Sequence, residues 1–270
     1  MTAQGFIATK EHRRFVEFAD AVCRQHGIGI CFGQAGIGKT LSARRCANWH
    51  KAENLLEQWG PRDRFRLSDL CRTGPGTQRL LHPAVPTSPQ QIHAELGHIS
   101  TRVSICVDQH LEKIDKKTGP PGSIGMHVEL LIIDESGRLS ATALELLRDR
   151  YNRDNIALIL IGMPGIKKWF GRYAQLYSRV GFAHEYRPLA QEELNFVLER
   201  RWHKLGQTLD PEDFTEAQAI AAVARITRGN FRLIDRLFTQ VERATKINEL
   251  STITDDVIEA ARSTLVIGIS

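Results

Sequence analysis

Apolar residues follow two different spacings in the first two thirds of the chain. Phe15, Ala19 and Val22 share one face at a helical spacing, and Thr9 precedes them as a candidate N-cap. Three runs, "IGICF", "VELLIID" and "IALILIG", are apolar almost throughout, which is typical of parallel strands buried on both faces. Strand-like and helix-like segments alternate to about residue 188. The pattern therefore predicts a parallel α/β sheet with right-handed crossovers.

The segments between these runs have patterns of their own. "KTLSARRCANWHKAENLLEQW" predicts one long helix, "RLLHPAV" a short strand and "SATALELLRDRYNRD" an amphipathic helix. "TSPQQIHAELGHISTRV" predicts a helix with Pro89 in its first turn and either Thr87 or Ser88 as its cap. Residues 60–79 are polar and rich in Arg, Gly and Pro, so we expect a loop there.

The pattern changes after Pro188. Four segments, "LAQEELNFVLERRWHKLG", "DFTEAQAIAAVARITRG", "NFRLIDRLFTQVERATKI" and "TDDVIEAARSTLV", carry helical periodicity with Gly or Asn near their ends. The sequence therefore predicts two domains, an α/β domain over residues 1–188 and a small helical domain over residues 189–270.

Composition narrows the function classes only a little. The net charge of +5 and the pI of about 9.0 permit a polyanionic partner without identifying one. The five cysteines are scattered and form no C-x-x-C pair, which argues against a disulfide framework or a zinc site and is typical of the cytoplasm. No run of 18 apolar residues occurs, so we predict no membrane span, and the first residues, "MTAQGFIATKEHRRF", contain no apolar h-region, so we predict no secretory signal.

The segment "GQAGIGKT" after the first apolar run carries phosphate-binding chemistry. It matches G-x-x-x-x-G-K-[ST], whose glycines let backbone N–H groups turn toward phosphate oxygens at the head of a helix. We expect Lys39 to reach the β- and γ-phosphates of ATP and Thr40 to hold Mg²⁺. A chance match is disfavoured because a predicted strand precedes the motif and a predicted helix follows it. The predicted nucleotide-binding residues are Gly33, Gln34, Ala35, Gly36, Ile37, Gly38, Lys39, Thr40 and Leu41.

Two carboxylates follow the second apolar run. Asp134 and Glu135 stand where "VELLIID" ends, and ligands gather at the carboxyl ends of parallel strands. We therefore expect Asp134 to meet Mg²⁺ beside Thr40, and Glu135 to activate water against the γ-phosphate. Without the phosphate loop, an acidic surface turn would be the better interpretation of these two residues.

Together with the phosphate loop, "LLIIDES", "ALILIGMP", "YSRVGFAHEYRPL" and "GNFRLIDRL" resemble the AAA+ ATPases over nearly the whole chain. The compact length, "DESGRL" and "GNFR" are similar to those of DNA-transposition regulators of the TniB, TnsC and MuB type. The resemblance implies an AAA+ P-loop NTPase fold, with a parallel sheet flanked by helices and a C-terminal helical lid.

The resemblance also implies roles around the nucleotide. Met163 stands where many relatives carry a polar residue that contacts the γ-phosphate or water, so we expect slow turnover. Arg179 in "YSRVG" matches the arginine finger that reaches the γ-phosphate of a neighbouring subunit, with Arg172 and Arg187 as alternatives.

Two further binding positions follow from the same resemblance. Arg232 in "GNFR" matches the sensor arginine of the lid, with Arg236 as the competing choice. Phe6 and Ile7 stand where relatives wall the adenine, although an apolar N-terminal segment often docks for packing alone.

The resemblance implies an oligomer, since an arginine finger that acts in trans requires a second subunit. Regulators of this type form ATP-dependent rings or helical filaments on double-stranded DNA and recruit a transposase, in some cases with a target-selection protein. DNA would be held through its phosphates, and no interleaved aromatic residues suggest single-strand binding. The candidate DNA contacts are Gln90, Gln91, Arg102, Lys113, Lys116 and Lys117.

Other functions fit the same motifs. A helicase loader would share the DNA prediction, whereas a signalling NTPase would bind nucleotide without forming filaments on DNA. A secretion motor would be expected to carry a membrane span or a cell-wall module, and the sequence predicts neither.

Overall fold

A computed structural model of the chain describes residues 6–49, 52–53, 56, 78–82, 88–113, 127–209, 213–250 and 252–265, with the side chains of 78–82 and 112–113 excepted. These residues belong to two compact units. The sheet unit spans Arg14–Gly33 and Lys39–Glu185, and the helical unit spans Met1–Arg13, Gln34–Gly38 and Tyr186–Ser270. The division at residue 188 proposed from the sequence stays a prediction.

The sheet unit contains a five-stranded parallel sheet, as the apolar runs predict. The strand order is β2-β3-β4-β1-β5. The three central strands are almost completely buried because their sequences are apolar on both faces. The strands are β1 (Ile28–Phe32), β2 (Gln78–His82), β3 (Val128–Ile133), β4 (Ala157–Gly162) and β5 (Val180–Glu185).

The edge strand β5 was not identified from the sequence. Its residues alternate between half-buried and exposed, because only one face of "VGFAHE" packs against the rest of the unit. The run contains a glycine and ends in His and Glu, so it lacks the continuous apolar character of the central strands.

The first helices differ in how well their ends were predicted. In α1 (Lys10–Arg24), the Thr9 hydroxyl accepts a hydrogen bond from the His12 N–H at 3.1 Å, which confirms the predicted N-cap. The helix α2 (Lys39–Cys46) is much shorter than predicted. Asn48 has a φ of 54°, and this left-handed residue interrupts the predicted helix. Helical conformation resumes at Trp49 and is present at residues 52–53 and 56, so the prediction of one uninterrupted helix is wrong.

The remaining helices of the sheet unit follow Ser caps or turns. In α3 (Pro89–Lys113), Gln91 N–H donates to the Ser88 hydroxyl at 3.2 Å, and Ser88 N–H donates to Gln91 Oε1 at 3.1 Å, so Ser88 is the cap. The amphipathic helix α4 (Ala141–Asp154) has the predicted place. Two short helices, α5 (Ile166–Phe170) and α6 (Ala174–Tyr177), were not predicted.

After Pro188, the described part of the helical unit contains four helices, as the periodicity predicts. Trp202, Leu237 and Ile258 lie at the centre of its apolar core and are fully buried. The helices are α7 (Gln191–Lys204), α8 (Phe214–Thr227), α9 (Phe231–Ile247) and α10 (Asp255–Ser263). Within the described residues, no helix has the length and apolar character needed to cross a membrane.

Candidate nucleotide-binding site

The base of the phosphate loop is held at the carboxyl end of β1. Lys39 Nζ donates a hydrogen bond to the carbonyl oxygen of Gly33 at 2.7 Å, and Lys39 is only 8% exposed. A buried ammonium needs a polar partner, and a backbone carbonyl supplies one without neutralising its charge. The loop therefore keeps a cation at the strand end, where the sequence places the phosphates of a nucleotide.

The predicted magnesium ligands meet at the same edge of the sheet. The Thr40 hydroxyl donates to Asp134 Oδ2 at 2.5 Å, and Asp134, which follows β3, is 5% exposed. The N–H of Glu135 donates to Asp134 Oδ1 at 2.8 Å, so both carboxylate oxygens are oriented. A hydroxyl and a carboxylate are hard oxygen ligands that suit Mg²⁺ together with phosphate oxygens. The donor set fits a magnesium–nucleotide complex.

Glu135 has a different environment from its neighbour. Its backbone is left-handed, with φ 51° and ψ 31°, a conformation that is uncommon for a residue with a long side chain. Its Oε2 accepts a hydrogen bond from Arg138 Nη1 at 2.7 Å, and both side chains are exposed. An exposed ion pair of this kind contributes little, about 0.2–1 kcal/mol, so Glu135 can exchange this partner for water at small cost. Sequence reasoning missed Arg138.

The tip of the loop lies within the helical unit. The Arg232 N–H donates to the carbonyl oxygen of Gly36 at 2.9 Å, and Asn230 Nδ2 donates to that of Ala35 at 2.8 Å. Gly36 has a φ of +81°, and a Cβ there would lie 2.7 Å from the Arg232 Cβ, so only glycine fits. The "GNFR" segment thus shapes the loop.

Asn230 has a second function that the sequence analysis did not assign. Its Oδ1 accepts hydrogen bonds from the N–H groups of Arg232 and Leu233 at 3.1 and 3.3 Å, so it is the N-cap of α9. One amide side chain therefore begins a helix with its oxygen and holds the loop with its nitrogen. An Asn directly before a helical period was the available signal.

The other predicted residues of the phosphate loop and of the first turn of α2 differ in burial and backbone conformation. Ile37 is buried, Gln34 and Leu41 are exposed, and Gly38 has a positive φ of 111°.

The helical unit also contains the predicted adenine-wall residues and the two candidates for the sensor arginine. Phe6 packs edge-on against His12, with ring centroids 4.7 Å apart, and Ile7 packs against the apolar core. The side chains of Arg232 and Arg236 are both exposed, so exposure does not separate the two sensor candidates.

The predicted trans finger lies on an exposed loop of the sheet unit. Arg179 is exposed, and its Nη1 donates to the Gln175 carbonyl oxygen at 2.6 Å. The Gln175 side chain in turn accepts a hydrogen bond from Arg148 of α4. The alternatives Arg172 and Arg187 are also exposed, so exposure does not separate the three candidates. Met163, directly after β4, is 53% exposed.

The candidate DNA contacts are only partly described. Gln90 and Gln91 are exposed in the first turn of α3. Arg102 is half-buried and donates to the Leu56 carbonyl oxygen at 2.8 Å, which gives it a structural partner. The Lys113 side chain, Lys116 and Lys117 lie outside the described residues.

Comparison with known proteins agrees with this geometry. A family model described as "AAA domain" matches residues 23–170, which is more than half of the chain. The chain belongs to the AAA domain family. It is 41% identical over 272 residues to a Staphylococcus aureus protein described as "Potential ATP-binding protein", with 98% of each chain covered. It is therefore a P-loop protein that binds ATP.

Two solved structures extend the likeness of the fold. The Thermotoga maritima RuvB Holliday junction branch migration motor is 18% identical, with a TM-score of 0.56, and 96% of this chain matches 70% of it. The Aeropyrum pernix ORC1 protein, solved in complex with DNA, is 16% identical, with a TM-score of 0.57. That match covers 94% of this chain and 64% of the ORC1 chain. At such identities the likeness concerns the fold alone, which is that of AAA+ ATPases.

Proposed function

We propose that the protein is a magnesium-dependent ATPase that assembles with ATP on duplex DNA and regulates transposition by recruiting a transposase to its target. The observation that carries the proposal is the bonded pair of Thr40 and Asp134 beside the Lys39 ammonium. This arrangement combines the groups that hold Mg²⁺ and the β- and γ-phosphates in P-loop ATPases.

Hydrolysis and assembly depend on two further residues in this proposal. Glu135 activates the attacking water after it leaves Arg138, and Arg179 contributes its guanidinium to the γ-phosphate site of the next copy. A contact of this kind is head-to-tail, so it builds rings or helical filaments rather than closed dimers. ATP then acts as the assembly signal because its γ-phosphate bridges two copies.

Duplex DNA as the partner is supported by three observations. The chain has a net charge of +5, and the similar solved structures include a branch migration motor and a protein in complex with DNA. The sequence also resembles the transposition regulators in "DESGRL" and "GNFR". DNA held through phosphates alone would lose affinity steeply as the salt concentration rises.

Electron microscopy of the full chain with a mixed-sequence duplex tests the proposal. We expect rings or filaments with ATP and none with ADP. Arg179→Ala should bind ATP normally and fail to assemble, whereas loss in Arg172→Ala instead would move the finger to Arg172. Binding of ATP without DNA-dependent assembly would contradict the proposal and favour a signalling NTPase. Assembly by a chain whose gene has no neighbouring integrase-like transposase gene would favour a helicase loader.

A further inference from the structure

The chain reverses sharply after β4. A Cβ on Gly162, the last residue of this strand, would overlap Ile166 Cδ1, so the first turn of α5 packs directly on the strand end. Gly165 permits the reversal with a φ of +89°. Residues on the first turn of α5 are therefore held at the carboxyl edge of the sheet, where the proposed nucleotide site lies.

Lys167 lies on this turn and reaches the strand that carries the phosphate loop. Its Nζ is 4.4 Å from the centroid of the Phe32 ring. Phe32 is the last residue of β1 and is paired in register with Gly162. The next residue, Gly33, accepts the hydrogen bond from Lys39. Lys167 thus brings a second ammonium group to the strand end at which Lys39 is already held.

The Lys167 ammonium is not neutralised by a neighbouring carboxylate. Within the described part of the chain Lys167 forms no ion pair, and its ammonium contacts the Phe32 ring. A cation–π contact at an exposed site contributes about 0.5–1 kcal/mol. The contact with Phe32 is therefore weak enough for a phosphate to displace, and the flexible four-carbon stem of lysine permits the movement.

The end of β4 offers no other polar side chain for this task. Met163 is exposed there, and a thioether sulfur cannot donate a hydrogen bond to a phosphate. From Met163 to Ile166 the chain offers no side-chain donor, so Lys167 is the first residue after β4 that carries one. We infer that Lys167 leaves the Phe32 ring and binds the γ-phosphate of ATP, in place of the polar contact that Met163 cannot make. The inference rests on the proposed function, since it requires ATP in the phosphate loop.

Calorimetry with ADP and with the non-hydrolysable β,γ-imido analogue of ATP, both with Mg²⁺, tests this role. Lys167→Met removes the charge and keeps the length of the stem. We expect it to weaken binding of the imido analogue by about 10-fold, as for loss of a charged hydrogen bond, with ADP affinity unchanged. Lys167→Arg should keep most of the discrimination. The neighbouring exposed lysine provides the matched control, Lys168→Met, which should alter neither affinity.

The outcomes separate the inference from the proposed function. Lys167→Met that retains both ADP affinity and the wild-type preference for the imido analogue would overturn the inference and leave the proposed function standing. Equal weakening of ADP and the analogue would also overturn it, because Lys167 would then not recognise the γ-phosphate. A wild-type chain that binds neither nucleotide would overturn the proposed function itself. ADP affinity also reports whether each variant is folded.

Discussion

At the base of the phosphate loop, side chains with ionic or metal-binding chemistry make the contacts. Lys39 holds the Gly33 carbonyl, and Thr40 holds Asp134. At the tip, the contacts come instead from a backbone N–H and from the amide of Asn230, which bind the carbonyls of Gly36 and Ala35. The base belongs to the sheet unit and the tip to the helical unit.

This difference separates contacts that bind the ligand, at the base, from contacts that fix the conformation of the loop, at the tip. A bound magnesium–nucleotide complex would compete for the Lys39 and Thr40 contacts, because phosphate and Mg²⁺ are stronger partners than a carbonyl or a carboxylate alone. At the tip the donors are a neutral backbone N–H and a neutral amide, which gain much less from a phosphate than the Lys39 ammonium does. We therefore expect variants at the base to change which ligand binds, and variants at the tip to change how well the loop is formed.

The largest expected effect is at the base. Lys39→Ala should weaken ATP binding by about 100-fold, because it removes a charged donor to the β- and γ-phosphates. Calorimetry with Mg²⁺ and ATP measures the change. Lys246→Ala is the matched control, since this exposed lysine only pairs with Glu242 in α9. Equal affinities for the two variants would remove Lys39 from the site.

Thr40→Val separates metal binding from nucleotide binding. The variant lacks the hydroxyl that Asp134 orients, so the apparent Mg²⁺ affinity in the presence of ATP should fall about 10-fold. A magnesium titration monitored with a fluorescent ATP analogue gives this affinity. Thr239→Val serves for comparison, because its hydroxyl bonds only to the carbonyl of Asp235. An unchanged titration would mean that the base does not hold the metal.

Gly36→Ala addresses the shape of the tip. A left-handed backbone costs an alanine about 1–2 kcal/mol, and the added Cβ would lie 2.7 Å from the Arg232 Cβ and from Asn230 Oδ1. Thermal unfolding should show a lower Tm, and ATP and ADP should both bind more weakly. In Gly181→Ala the new Cβ meets nothing within 4 Å, so this variant should melt like the wild type. A Tm difference between ATP- and ADP-bound Gly36→Ala larger than in the wild type would contradict a purely shape-based role.

The smallest expected effects come from two substitutions of Asn230, which separate its capping of α9 from its contact with the loop. Serine keeps a side-chain oxygen that can cap α9 and removes the amide donor to Ala35, whereas alanine removes both. Asn230→Ala should lose about 1 kcal/mol of unfolding free energy, and Asn230→Ser only a few tenths. Both variants should bind ADP about 3-fold more weakly if the amide holds the loop. Denaturant unfolding and calorimetry measure the two quantities, and a serine variant with wild-type affinity would confine Asn230 to capping.

The sequence was most informative where one local rule decides the structure. Continuous apolar runs predicted β1, β3 and β4, and hydroxyl caps predicted the starts of α1 and α3. The same rules failed at α2. Its helical periodicity continues past the end, but the left-handed Asn48 interrupts it.

Contacts between segments distant in the sequence could not be predicted from local patterns. Asn230 meets Ala35 across 195 positions, and Lys167 meets Phe32 only because α5 folds back on β4. The phosphate-binding motif itself was visible, since its residues are contiguous. The residues that contact the loop could not be predicted, because they are distant from it in the sequence and follow no regular spacing.

If the protein has the proposed function, ionic strength has two opposing effects on it, and the exposed pair of Glu135 and Arg138 accounts for the first. Added salt screens this pair and releases the carboxylate, which favours turnover by the isolated chain. The same salt would weaken the proposed binding to DNA phosphates. Idle ATP consumption and residence on DNA would then change in opposite directions as the buffer becomes more concentrated, so the ratio of the two would depend on the solution as well as on the protein.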